Sequence, residues 1–122
     1  MPIVDVELVC ESEVEFNAVS PRAIADAVGR VFRSPPGRTW ARLRFLNSAH
    51  YAENDAPVST ADLPVFVTVM HAHSPAEAAL AAEVLALTAT VAQVTGRPAE
   101  RVHVEYAPPG AGRQAFGGQL VK

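Results

Sequence analysis

The chain has a single cysteine, Cys10, which excludes an internal disulfide and the common zinc motifs built on paired cysteines. Cys10 reads as a small buried hydrophobe at the end of a strand rather than as a nucleophile. No apolar run approaches the roughly 20 residues a bilayer crossing needs, and no basic–apolar–small leader precedes the first strand. A cytoplasmic protein with no membrane partner is therefore expected. Net charge is only −3, with 10 basic and 13 acidic residues, so there is no dense basic face for nucleic acid. Glycine fingerprints for dinucleotides and phosphate loops are missing as well. The sequence Gly110-Ala111-Gly112 sits in a Pro-rich turn with no helix after it, and no serine stands in a nucleophile elbow. What remains is a 122-residue chain, 49% hydrophobic and 19% charged, of the size and composition of one globular domain spanning 1–122.

The positive signal begins at Pro2, ahead of the short apolar strand Ile3-Val4-Asp5-Val6-Glu7-Leu8. Once Met1 is removed, the chain starts with a secondary amine at a strand end. An α-amino group titrates at roughly 7.7–8.0, and an apolar wall or a nearby cation lowers that further. A base poised near the working pH is what proton abstraction requires. Retention of Met1 would instead turn the nitrogen into an amide, which is no base.

The pattern behind Pro2 is written twice. Pro2-Ile3-Val4-Asp5-Val6-Glu7-Leu8 has a counterpart in Pro64-Val65-Phe66-Val67-Thr68-Val69-Met70, both rich in β-branched residues. Ser20-Pro21 and Ser74-Pro75 each offer a serine cap before a proline at the first helical position. The first helix then carries Ile24, Val28 and Phe32 on one face. The second is expected from about 75 to 94, apolar on most of its surface, and closed by Gly96 with Pro98 beyond. A further strand follows each helix: Ala41-Arg42-Leu43-Arg44-Phe45 and Val102-His103-Val104-Glu105-Tyr106.

The fold class is thus α+β: two tandem β-α-β units, about 2–47 and 64–108, forming a four-stranded sheet with two helices on one face. A linker occupies about 48–63, and the tail 109–122 is expected to form a short hairpin. Helices would cover Leu43, Phe45, Val102 and Val104. The opposite face, with Trp40, Arg42, Arg44 and His103, has no cover within the chain, and the strand 65–69 looks apolar enough to be buried on both sides. An oligomer that covers this face is expected.

Pro2 and its strand, the repeated strand–Ser-Pro–helix, and the closing Ala115-Phe116-Gly117-Gly118-Gln119-Leu120 together resemble the tautomerase superfamily across essentially the whole chain. Its larger members, such as 5-carboxymethyl-2-hydroxymuconate isomerase and malonate semialdehyde decarboxylase, are similar in length. The resemblance implies a homotrimer that uses no cofactor and no metal. It implies a tautomerase or isomerase acting on a small carboxylate, an enol or α-keto acid, with Pro2 as general base. Arg42 matches a carboxylate-binding arginine by its place on the second strand. His73 and His103 stand where the superfamily carries further arginines, and Arg113 and Phe116 lie in the tail that walls the site. Histidine in place of arginine would bind anions less firmly near neutral pH and could also deliver a proton. A decarboxylase or hydratase is the alternative within the superfamily. A non-catalytic trimeric binding protein is the alternative outside it. A metal held by His71, His73 and His103 is a weaker reading, and His50 and Tyr51 read as an ordinary polar loop.

Overall fold

The computed structural model describes residues 2–122; Met1, and with it the question of its removal, lies outside the described residues. Strand β1 (Ile3–Cys10) is followed by the one-turn helix α1 (Glu13–Asn17) and helix α2 (Pro21–Phe32). Strand β2 (Trp40–Asn47) ends the first unit; β3 (Val65–Met70), helix α3 (Glu77–Thr95) and β4 (Val102–Tyr106) make the second. The four strands form one sheet in the order β2-β1-β3-β4. Each unit pairs its own strands in parallel, β1 with β2 and β3 with β4, and the units join antiparallel through β1 and β3. A two-stranded hairpin, β5 (Ala115–Phe116) and β6 (Gln119–Leu120), closes the chain, as the sequence led one to expect. The two tandem units, the four-stranded sheet and the helices packed on it follow the sequence reading.

Alternation decides which side of each strand meets the helices. Val4, Val6 and Leu8 of β1 and Val65, Val67 and Val69 of β3 are all at most 1% exposed. They pack with Ile24 and Val28 of α2 and with Leu87 and Val91 of α3. Each such aliphatic side chain contributes about 1.5–3 kcal/mol on burial. Cys10 is fully buried in the same cluster, and burial raises its thiol pKa against the pull of the Arg97 guanidinium.

Three local expectations need correction. Ser20 does cap α2, its Oγ accepting from the Ala23 amide at 3.1 Å, but Ser74 caps nothing. Helix α3 starts at Glu77 after Ala76, without a side-chain cap, and closes at Gly96 in the left-handed region (φ 71°) as the glycine rule predicts. Helix α1 went unforeseen; its signal is Ser12, whose Oγ accepts from the Glu15 amide at 3.2 Å. Strand β3 is buried on one side only, with Phe66, Thr68 and Met70 partly exposed on the other. Helix α3 also exceeds the expectation about bilayer crossing, since its 19 residues, of mean hydropathy 1.5, are long and apolar enough to span. It lies instead against α2 and β4 and buries Leu87 and Val91, while Leu85 is 74% exposed.

Candidate active site

Pro2 sits buried at the end of β1, and its carbonyl accepts a hydrogen bond from the Trp40 amide at 3.1 Å. The sheet register explains the neighbours. Ile3 pairs with Trp40 on one side and with Met70 on the other, and Pro2 stands one residue before that pair at the strand end. One residue on, at Ile3, opens a cleft of about 380 Å³ lined by Ile3, Trp40, Arg42, Gln114, Ala115, Phe116 and Gly117. The hairpin forms one wall, because Phe116 packs edge-on against Trp40 with ring centroids 4.6 Å apart. The indole is fixed in turn by Nε1 donating to the Gly37 carbonyl at 2.9 Å. Such a largely apolar recess with one cation suits a small acid.

The sequence-selected residues do not all gather here. Arg42 and Phe116 line the cleft, and Pro2 immediately precedes its lining residue Ile3. Arg42, however, already holds a carboxylate: Nε and Nη2 donate to the two oxygens of Asp5 at 2.6 and 2.9 Å, a bidentate pair that raises the arginine pKa. Its Nη1 makes no hydrogen bond among the described residues. Arg113 is exposed at the base of the hairpin. His73 is exposed too, its Nε2 lying 3.0 Å from the backbone oxygen of Lys122. His103 occupies the far edge strand, packed on Phe66 at 5.5 Å. Three strand spacings separate β4 from β2, about 14 Å, so His103 cannot meet Arg42 within one protomer.

One cluster lay beyond the sequence reading. Just past the end of β3, His71 Nε2 meets Glu83 Oε2 at 2.9 Å, and the Tyr106 hydroxyl donates to the same oxygen at 2.7 Å. The imidazole stacks on Tyr106 and meets Phe32 edge-on. Burial, reinforced by the Glu83 carboxylate, pushes the Tyr106 hydroxyl well above its ordinary pKa. The available clue was Glu83 itself, a carboxylate in the middle of an otherwise apolar helix. His71 and His73 therefore have separate partners, and no group of three potential ligands suited to a metal occurs among the described residues.

Comparison with known proteins separates sequence from shape. No protein-family model matches the chain, and no curated protein matches it in sequence. Solved structures do match over nearly its full length. Pt0534 inactivated by 2-oxo-3-pentynoate superposes with a TM-score of 0.75 at 21% identity, covering 97% of this chain and 94% of that one. An asymmetric trimer of fused 4-OT gives 0.75 at 18% identity, covering 97% and 94%. FG41 malonate semialdehyde decarboxylase inhibited by 3-bromopropiolate gives 0.68 at 17% identity, covering 94% and 90%. The chain has the tautomerase-superfamily fold. Within that tautomerase fold the strand bearing Pro2 and the hairpin bearing Phe116 enclose the cleft described above.

Proposed function

We propose that the protein is a cofactor-free tautomerase that moves a proton within a small enol or α-keto acid. The carrying observation is the setting of Pro2, at a strand end of a tautomerase fold, with its carbonyl hydrogen-bonded to Trp40 and one residue before Ile3, both of which line a cleft walled by Phe116. After removal of Met1, the proline nitrogen would take a proton from substrate oxygen or carbon and return it to the other end of the enol system. The aromatic walls limit hydration of the amine and so favour its neutral, basic form. Arg42 would bind the carboxylate through its remaining Nη1, or through the whole fork if substrate displaces Asp5. His73 and Arg113 would supply donors at the mouth, and His103 would act from a neighbouring copy. A homotrimer working in the cytoplasm is part of this reading; the trimers of fused 4-OT support it, as does the uncovered sheet face.

Two further readings have a specific motive. Likeness to FG41 malonate semialdehyde decarboxylase favours decarboxylation, in which a protonated Pro2 would polarise the substrate carbonyl. The occupied fork of Arg42 favours a trimer that binds without catalysing. The deciding experiment is intact mass followed by phenylenolpyruvate ketonisation on the same sample. Protein lacking Met1 should turn over, and Pro2→Ala should lower kcat about 10²–10⁴-fold while the oligomer persists. Activity that survives Pro2→Ala would overturn the mechanism. No turnover by Met1-free protein would favour the other readings.

A further inference from the structure

A second concavity, larger than the proline cleft, lies on the helix side of the sheet. A groove of about 700 Å³ runs along α2 and the loop after it, lined by Arg22, Asp26, Gly29, Arg30, Arg33 and Ser34, with Pro35 to Gly37 and Thr39 as its rim. The helix contributes one face, positions 22, 26, 29, 30 and 33, and places a glycine where a longer side chain would fill the floor. Three guanidinium groups face one carboxylate. Arg22 makes a loose, exposed ion pair with Asp26 at 3.9 Å, whereas Arg30 and Arg33 form no ion pair among the described residues. A chain of net charge −3 thus gathers unpaired positive charge along this groove. Arg33 is held there by its left-handed backbone (φ 55°), closing α2 with its amide on Arg30 and Gly29.

The polar rim adds a donor. Thr39 Oγ1 donates to Ser34 Oγ at 2.6 Å, which leaves the Ser34 hydroxyl hydrogen free to point outward. Guanidinium forks and a hydroxyl donor on one concave wall suit clustered anionic oxygens. The rim also touches the proline cleft: the Gly37 carbonyl that borders the groove accepts from Trp40 Nε1. We infer that this groove binds a small polyanion of phosphate type through Arg30, Arg33 and Ser34, and that occupancy is felt at Trp40 through the Gly37 loop. The inference needs neither a free Pro2 amine nor turnover.

Trp40, the single tryptophan, makes the test direct. Titrate the whole protein with inorganic pyrophosphate, following ³¹P line width and Trp40 emission, against sodium chloride of equal ionic strength. Expected are saturable changes in both signals at submillimolar ligand, and at least tenfold weaker binding in an Arg30→Gln/Arg33→Gln variant. Both side chains are exposed, so circular dichroism and melting of that variant should match wild type. A ³¹P response equal to the chloride control, or undiminished in the variant, would overturn the site. A saturable ³¹P response with silent Trp40 emission would overturn the link to the cleft.

Discussion

The two ends of the sheet use arginine in opposite ways. At the end away from Pro2, Arg97 is only 11% exposed and reaches the Leu63 carbonyl at 2.8 Å, Cys10 Sγ at 3.2 Å and Glu15 at 3.0 Å. Arg101 likewise donates to the Asp62 carbonyl at 2.6 Å and pairs with Glu53, which also accepts from Tyr51. These two arginines pin the 48–63 linker and α1 to the strands. At the Pro2 end, Arg30, Arg33 and Arg113 are exposed, and the neighbouring surface opens into two cavities. An arginine surrounded by backbone carbonyls is a structural fastener. One left unpaired beside a cavity is available to a ligand.

The largest expected effect tests the fastening. Arg97→Ala strips three acceptors of a charged donor, each such bond contributing about 1.5–3 kcal/mol in favourable cases, and should lower stability by roughly 3 kcal/mol in urea unfolding. Arg113→Ala at the other end should stay within about 0.5 kcal/mol. Equal losses at both sites would erase the contrast.

The His71–Glu83–Tyr106 cluster is the Pro2 end's own polar anchor, and Tyr106→Phe should cost about 1.5 kcal/mol, since Glu83 keeps His71. The sign with pH follows from the raised hydroxyl pKa. The anchor is intact below the ordinary tyrosine value near 10 and is lost as pH rises through the higher folded value. The melting-temperature gap between wild type and Tyr106→Phe should therefore narrow only in strong alkali. Tyr51 is also shifted upward, chiefly by burial, so the midpoint of phenolate absorbance in the folded protein should lie above the ordinary tyrosine value near 10.

Asp5→Asn probes the cleft more gently. The Asp5–Arg42 pair is partly exposed, worth about 0–1 kcal/mol to stability, but its removal frees the full guanidinium fork. Under the tautomerase reading, KM for a small acid should fall while melting barely moves; an unchanged KM would separate Arg42 from substrate binding.

The smallest effect concerns Glu53, whose pKa is lowered by the Tyr51 hydroxyl and then by Arg101. A depressed carboxylate stabilises above its ordinary value of 4.5 and ceases to do so as pH falls through the folded value. Melting of wild type and Glu53→Gln should accordingly differ at pH 7 and converge as pH falls below 4.5 through the folded value.

Alternation and punctuation made most of the fold legible. Val4-Val6-Leu8 and Val65-Val67-Val69 announce strands with one buried side, Ser20-Pro21 marks the start of α2, and Gly96 marks the end of α3. Ser74-Pro75 misled because a capping sequence permits a helix start without compelling one, and the chain begins α3 two residues later. Of the residues lining the cleft, Arg42 was expected from its place on the second strand and Phe116 from the closing tail, both by resemblance. Trp40 as a cleft wall, Asp5 on Arg42, and Glu83 between His71 and Tyr106 were not, because each joins residues far apart in sequence.

The sequence by itself determined the elements, their doubled order and which side of each strand is apolar. These follow from local periodicity and backbone preference, properties of neighbouring residues. Only the tertiary structure decided which charges meet. Parallel pairing of β1 with β2 puts Asp5 beside Arg42, and antiparallel pairing with β3 sets Ile3, behind Pro2, against Met70. A shift of one residue in either register would turn those side chains to the opposite face. The chemistry of the proline end therefore depends on strand pairing, which no local pattern encodes.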